Sequence, residues 1–147
     1  MAQLDERELA AQLFNRCWEL LETTRETDDD VELLTAAFTS RYHWLSTGDA
    51  EQWIVSDWMV ARAAAAVGDG HLSLLFAQRA HVAAQEIESP DWLVASTAEG
   101  VARAYAALRD VGEFNNWSAL ATRLVAVIAD PEDQSLIASQ LADINAP

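Results

Sequence analysis

The chain has no lysine. All nine of its basic residues are arginine, set against 24 acids, and the formal net charge is −15 at pH 7. Binding a polyanion needs a basic footprint, so nucleic acid is excluded as an expected partner, and an anionic membrane surface with it. A single cysteine, Cys17, forbids an internal disulfide and points to the cytoplasm as the compartment. Five glycines and three prolines supply too little turn chemistry for a fold of many short strands. Long hydrophobic runs are missing too. Met1-Ala2-Gln3-Leu4-Asp5-Glu6-Arg7 has no apolar stretch of signal-peptide type. The alanine-rich run from Ala61 to Val67 is broken by Arg62 and far too short to span a bilayer.

What is present reads as helix. Hydrophobic residues make up 51% of 147 positions and include six tryptophans, enough for a packed core rather than disorder. Alanine, leucine, glutamate, glutamine and arginine are good helix formers. From Leu4 to Thr24, Leu9, Leu13, Cys17, Leu20 and Leu21 share one face, so Cys17 reads as a small core residue. Thr27-Asp28-Asp29-Asp30 reads as a connection whose acids cap a second helix over about Val31–Ser46, ending before Gly48. Its aspartates lack the ligand spacing, the glycine and the closing glutamate of a calcium loop.

Asp49-Ala50-Glu51-Gln52 resembles a capping box and opens a third helix through Val67. Gly68-Asp69-Gly70 closes it, and a fourth helix runs to about Ile87. Ser89-Pro90 is expected to cap and start a fifth helix to about Arg109, with Gly112 marking the next turn. A sixth covers about Glu113–Ala129. Asp130-Pro131 begins the last, to about Ile144. The expected fold is all-α: a single domain of about seven helices, with hairpins near 4–46, 50–87 and 91–129 and a terminal helix near 132–144. The third helix is apolar nearly all round and is placed at the centre.

The pattern repeats. Phe38-Thr39-Ser40-Arg41-Tyr42-His43 is echoed by Phe76-Ala77-Gln78-Arg79-Ala80-His81, 38 residues on, and Leu120-Ala121-Thr122-Arg123 comes 44 residues later. Val60-Ala61-Arg62-Ala63 returns as Val101-Ala102-Arg103-Ala104, and Trp53-Ile54-Val55-Ser56 as Trp92-Leu93-Val94-Ala95. A helical unit has been stacked about three times, with an atypical end helix.

At Gly68-Asp69-Gly70, with Leu72, Phe76, Ala77 and Ala80 behind it, the chain resembles the turn and second helix of a tetratricopeptide (TPR) repeat. Gly112-Glu113-Phe114 into Leu120 and Ala121 is similar. Ser40-Arg41-Tyr42-His43-Trp44 with Trp53 and Ser56 resembles a group of short bacterial TPR-like proteins. The spacings exceed the roughly 34 residues of a true TPR, and Ser73 stands where that repeat usually has alanine. The resemblance implies stacked α–α hairpins coiled into a superhelix, protein or peptide binding, and no chemistry of the repeat's own.

Two groups of residues are candidates for a site. On a helical wheel Arg41 and Arg79 fall inside apolar stripes, where an unpaired charge is very costly. Asp57, on the interior side of the third helix, is expected to pair with Arg79 or Arg41, and Trp44 lies nearby in sequence. The second group, Trp92, Ser96, Glu99 and Arg103, shares one face of the fifth helix. Glu99 and Arg103 are either an exposed i,i+4 pair or, by analogy with TPR stacks, part of a groove floor. His43, His71 and His81 have no metal-ligand spacing, and neither a triad order nor a phosphate loop is present. No metal, cofactor or catalytic residue is expected. The leading reading is a non-enzymatic module for a protein or peptide partner, or for a second copy of itself. The alternative is a small-ligand sensor or enzyme with a pocket near Arg41, Trp44, Asp57 and Arg79. A third is a nucleic-acid mimic built on the acidic surface.

Overall fold

In a computed structural model, residues 3–147 are described. The first two residues of the stretch read above as lacking a signal sequence lie outside them. Among the described residues there are seven α-helices and no strand: α1 (Glu6–Leu21), α2 (Thr27–Thr47), α3 (Ala50–Ala66), α4 (Gly70–Glu86), α5 (Asp91–Ala107), α6 (Val111–Ala126) and α7 (Pro131–Ala142). None of them is long and apolar enough to cross a membrane.

Short polar side chains start most of these helices. Asp5, Asp49, Asp69, Asp110 and Asp130 each accept a hydrogen bond from a backbone N–H of the first turn, supplying an acceptor the helix cannot provide for itself. Three starts differ from expectation. Thr27–Asp30 is already helical, and Asp29 accepts from the Glu26 N–H at 2.9 Å. The three aspartates therefore sit inside the first turn, at the positive end of the helix dipole. Ser89 does not cap α5, because its hydroxyl donates backward to the Ala84 carbonyl at 2.7 Å, and Pro90 takes the cap position. Gly112 lies inside α6 rather than at the turn before it.

The residue that makes that turn is Arg109, with φ of 59°. Its counterpart between α3 and α4 is Gly68, with φ of 86°. The two turns close with matching bonds: Gly68 N–H to Ala65 O and Asp69 N–H to Ala64 O, then Arg109 N–H to Ala106 O and Asp110 N–H to Tyr105 O. Glycine enters the left-handed region freely, whereas a side chain there costs about 1 kcal/mol.

Helix contacts fit hairpins stacked in chain order. α1 packs on α2, α3 on α4 and α5 on α6, while α1, α3, α5 and α7 also touch in succession. The backbones of α2, α4 and α6 stay apart from one another. They are bridged by side chains instead: Phe38 meets Phe76 edge-on at 5.5 Å, and His81 meets Trp117 at 5.1 Å. Ser40 ties α2 to the Ala10 carbonyl of α1. Ser73, in the place where a TPR would carry alanine, does the same for α4 and the Ala61 carbonyl of α3.

The centre holds two helices where the sequence suggested one. α3 buries Ile54, Trp58, Met59 and Val60 and touches α1, α2, α4 and α5. α5 buries Leu93, Ala95, Ala98, Val101, Ala102 and Ala104 and touches α3, α4, α6 and α7. Small residues bring the pair together. A Cβ on Gly100 would stand 3.1 Å from the Trp58 ring, so a side chain there requires the ring to give way by a few tenths of an ångström.

His81 is buried in α4, with Nδ1 2.9 Å from Thr97 Oγ1. That hydroxyl already donates to the Val94 carbonyl, so Nδ1 is the donor to it. Burial lowers the pKa of His81 below its ordinary value. Below about pH 6.5 the unfolded chain therefore takes up a proton that the folded chain refuses. Stability should hold above that pH and fall as pH drops, by at most about 1.4 kcal/mol per pH unit. Urea unfolding of wild type and His81→Gln between pH 7.5 and 5.5 checks this. The variant should lose most of the slope.

Candidate functional site

Asp57 sits between two arginines, where the expected arrangement is a pair with one or the other. Its Oδ1 is 2.5 Å from Arg41 Nε on α2, and its Oδ2 is 3.4 Å from Arg79 Nε on α4. One carboxylate thus clips together the helices on either side of α3. Both guanidinium groups also lie against the Phe76 ring, at 5.4 and 5.8 Å. The two arginines are not equally buried. The Arg41 side chain is 22% exposed and that of Arg79 is 53% exposed. The apolar stripe placed Arg79 inside, but α2 and α4 stand too far apart to cover it. Trp44 does not join this cluster. Its ring lies under Arg7 of α1 at 5.5 Å, and its carbonyl accepts from Trp53 Nε1 at 2.9 Å. Arg123, the third arginine of the repeat, is exposed on α6.

The second group turns out to be interior. Glu99 is wholly buried, neither solvated nor on an open groove floor. Its Oε1 is 2.8 Å from Arg103 Nε, 2.6 Å from Arg103 Nη2 and 3.6 Å from Arg62 Nη1. Arg103 Nη2 also donates to the Gln140 carbonyl at 2.8 Å, tying α7 onto α5. Ser96 contributes its carbonyl, which accepts from Trp58 Nε1 at 3.0 Å. Trp92 is half-buried against core residues. The close approach of α3 and α5 at Gly100 is what shuts this face away from water.

Arg62, on α3, is the residue sequence reading passed over. Its guanidinium lies between Trp18 and Trp58, 5.2 and 5.8 Å from their rings. Burial, and then the nearby charge of Arg103, push its pKa down to about 10. It therefore remains a cation at neutral pH. Its Nη1 is buried without a hydrogen-bond partner, as is Glu99 Oε2.

Arg62 also lines a cavity of about 620 Å³ between the C-terminal ends of α1, α3 and α5, together with Arg25, Arg103, Arg109, Asp143 and Ile144. Four of the nine arginines of a strongly acidic chain meet there. Arg25 is committed, bonding Asp30 at 2.8 Å and the Leu20 and Ala66 carbonyls at 3.2 Å each. It satisfies carbonyls that the ends of α1 and α3 leave open. The sequence did carry a signal for this place: the Val-Ala-Arg-Ala repeat puts Arg62 and Arg103 at equivalent positions of neighbouring hairpins.

Among the described residues no group of three or more His, Cys, Asp or Glu side chains is arranged to hold a metal ion. Compared with protein families, with curated proteins and with solved structures, the chain matches none. The pairing and order of the helices fit stacked hairpins, and no family is shown for the chain.

Three substitutions separate the clusters. Asp57→Asn should lower stability by about 2–3 kcal/mol, the worth of hydrogen bonds to a charged group, while Arg79→Ala should cost under about 1 kcal/mol because that side chain is solvated. Glu99→Gln should cost more, about 3–5 kcal/mol, since it leaves two buried arginines without a counter-charge. Denaturant unfolding of the three variants gives the order directly. A loss from Glu99→Gln no larger than that from Arg79→Ala would contradict the buried charge cluster.

Proposed function

We propose that this chain is a non-enzymatic, TPR-like helical-repeat module, its hairpins coiling into a short superhelix that binds a protein or peptide. The supporting observation is the face formed by α2, α3 and α4. There Tyr42 is 67% exposed, Leu75 56%, Val82 52% and Phe38 39%. Leu75 and Val82 line the depression with Asp57 and Arg79, and Phe38 packs on Phe76, against which both arginines lie. Apolar residues grouped in this way around arginine fit a contact surface, where aromatic and arginine side chains carry most of the binding energy. The half-exposed Arg79 keeps donors free of Asp57 and suits an acidic group on a partner.

The alternative of a small-ligand pocket at Arg41, Trp44, Asp57 and Arg79 has less support. The depression beside Asp57 and Arg79, about 420 Å³, is shallow and open to solvent. Such a shape favours docking over enclosure. A second copy of the chain is one possible occupant of the face, and sedimentation at several concentrations reports on it. The direct test is a pull-down at low and high salt with wild type and with Tyr42→Glu/Leu75→Glu. The expected result is a partner, or self-association, that survives high salt and is lost in the variant. The same proteins captured by both would remove this face from the reading.

A further inference from the structure

We propose that the cavity between the C-terminal ends of α1, α3 and α5 binds a small carboxylic acid, held by the guanidinium groups of Arg62 and Arg109. This site is on different parts of the helices from the docking face and does not depend on it. Of the four arginines there, two are already engaged: Arg25 by Asp30 and two carbonyls, Arg103 by Glu99 and Gln140. Arg62 reaches Glu99 only at 3.6 Å, and Arg109 lines the cavity from the turn after α5.

Arg62 is oriented by its neighbours. The Trp18 and Trp58 rings lie 5.2 and 5.8 Å from its guanidinium carbon and attract its charge. The nearest carboxylate oxygen, on Glu99, is 3.6 Å from Nη1, too far for a charge-assisted hydrogen bond of about 2.8 Å. That oxygen is already held at shorter range by Arg103. Nη1 itself is closed off from the cavity, so a ligand would meet the other N–H groups of Arg62, for which the described residues supply no acceptor.

Arg109 lines the same cavity from a backbone conformation that its structural counterpart, Gly68, adopts without strain. An arginine held there against its conformational preference supplies a second positive charge at the site.

The surroundings limit the ligand's charge. Asp143 and the negative ends of three helices share the cavity, so a singly charged, planar carboxylate fits better than a dianionic phosphate. It also matches the planar fork of arginine. Ala65, Ala66, Ala106 and Ala107 leave room for an aliphatic remainder. A volume of about 620 Å³ falls within the range of small-molecule sites.

Tryptophan fluorescence is the natural readout, because Trp18 and Trp58 stack on Arg62. The full chain would be titrated at pH 7 and constant ionic strength with acetate, butyrate, succinate, inorganic phosphate and sulfate. The expected result is a saturable change with at least one carboxylate, at about 1 mM or below. Phosphate and sulfate should bind about tenfold more weakly or not at all. Arg109→Gly should raise the thermal midpoint, by relieving the backbone, and weaken binding about tenfold, by removing the charge. Arg62→Lys, which keeps a cation beside Glu99 but loses the fork, should weaken binding at least as much. No saturation by any of these acids, phosphate binding as tightly as the best carboxylate, or unchanged affinity in Arg109→Gly would each overturn the proposal.

Discussion

The contact between α3 and α5 is the constraint from which the rest follows. Gly100 and the alanines around it let Trp58 approach the backbone of α5, and more than half of the residues of each helix are buried. Whatever lies between them must be apolar or fully paired, since an isolated charge there would not be tolerated. Glu99 meets that condition in part: Arg103 holds one oxygen, with Arg62 close by, and the other oxygen has no partner. The charge cluster is thus a consequence of how tightly the helices pack, and its incomplete hydrogen bonding is a consequence of the same crowding.

The two layers of the stack then take different roles. The odd-numbered helices pack in succession, so their faces are consumed by one another. The even-numbered helices diverge and are joined only through side chains, which leaves Phe38, Tyr42, Leu75 and Val82 facing water beside a charged bridge. Asp57 is the meeting point of the layers: it is carried by an inner helix and pairs with arginines of two outer ones. Its buried side serves stability and its open side presents Arg79.

Much of this was legible in advance. The apolar periodicity and the aspartate caps locate seven helices to within a few residues, because helix starts and faces depend on neighbours close in sequence. Asp57 could be matched with Arg79 or Arg41 because a charge within an apolar stripe demands a partner. The i,i+4 pair Glu99–Arg103 could not be placed inside or outside by the same reasoning, since an exposed pair and a buried one share that spacing. Arg79 failed in the opposite direction. Its stripe is genuine, but the helix that would have covered it is not close enough.

Composition and local pattern alone determined that this chain is all-helical, that its hairpins come in related pairs, and that its few cations are all arginine. Those properties depend on backbone preference and on residues a turn or two apart. The tertiary structure alone decided which of those arginines meet. Arg25, Arg62, Arg103 and Arg109 come from four separate places in the chain and converge on one cavity, because the ends of three helices line up only once the hairpins are stacked. Distances between helix ends are set by packing across the whole core, and no local spacing records them.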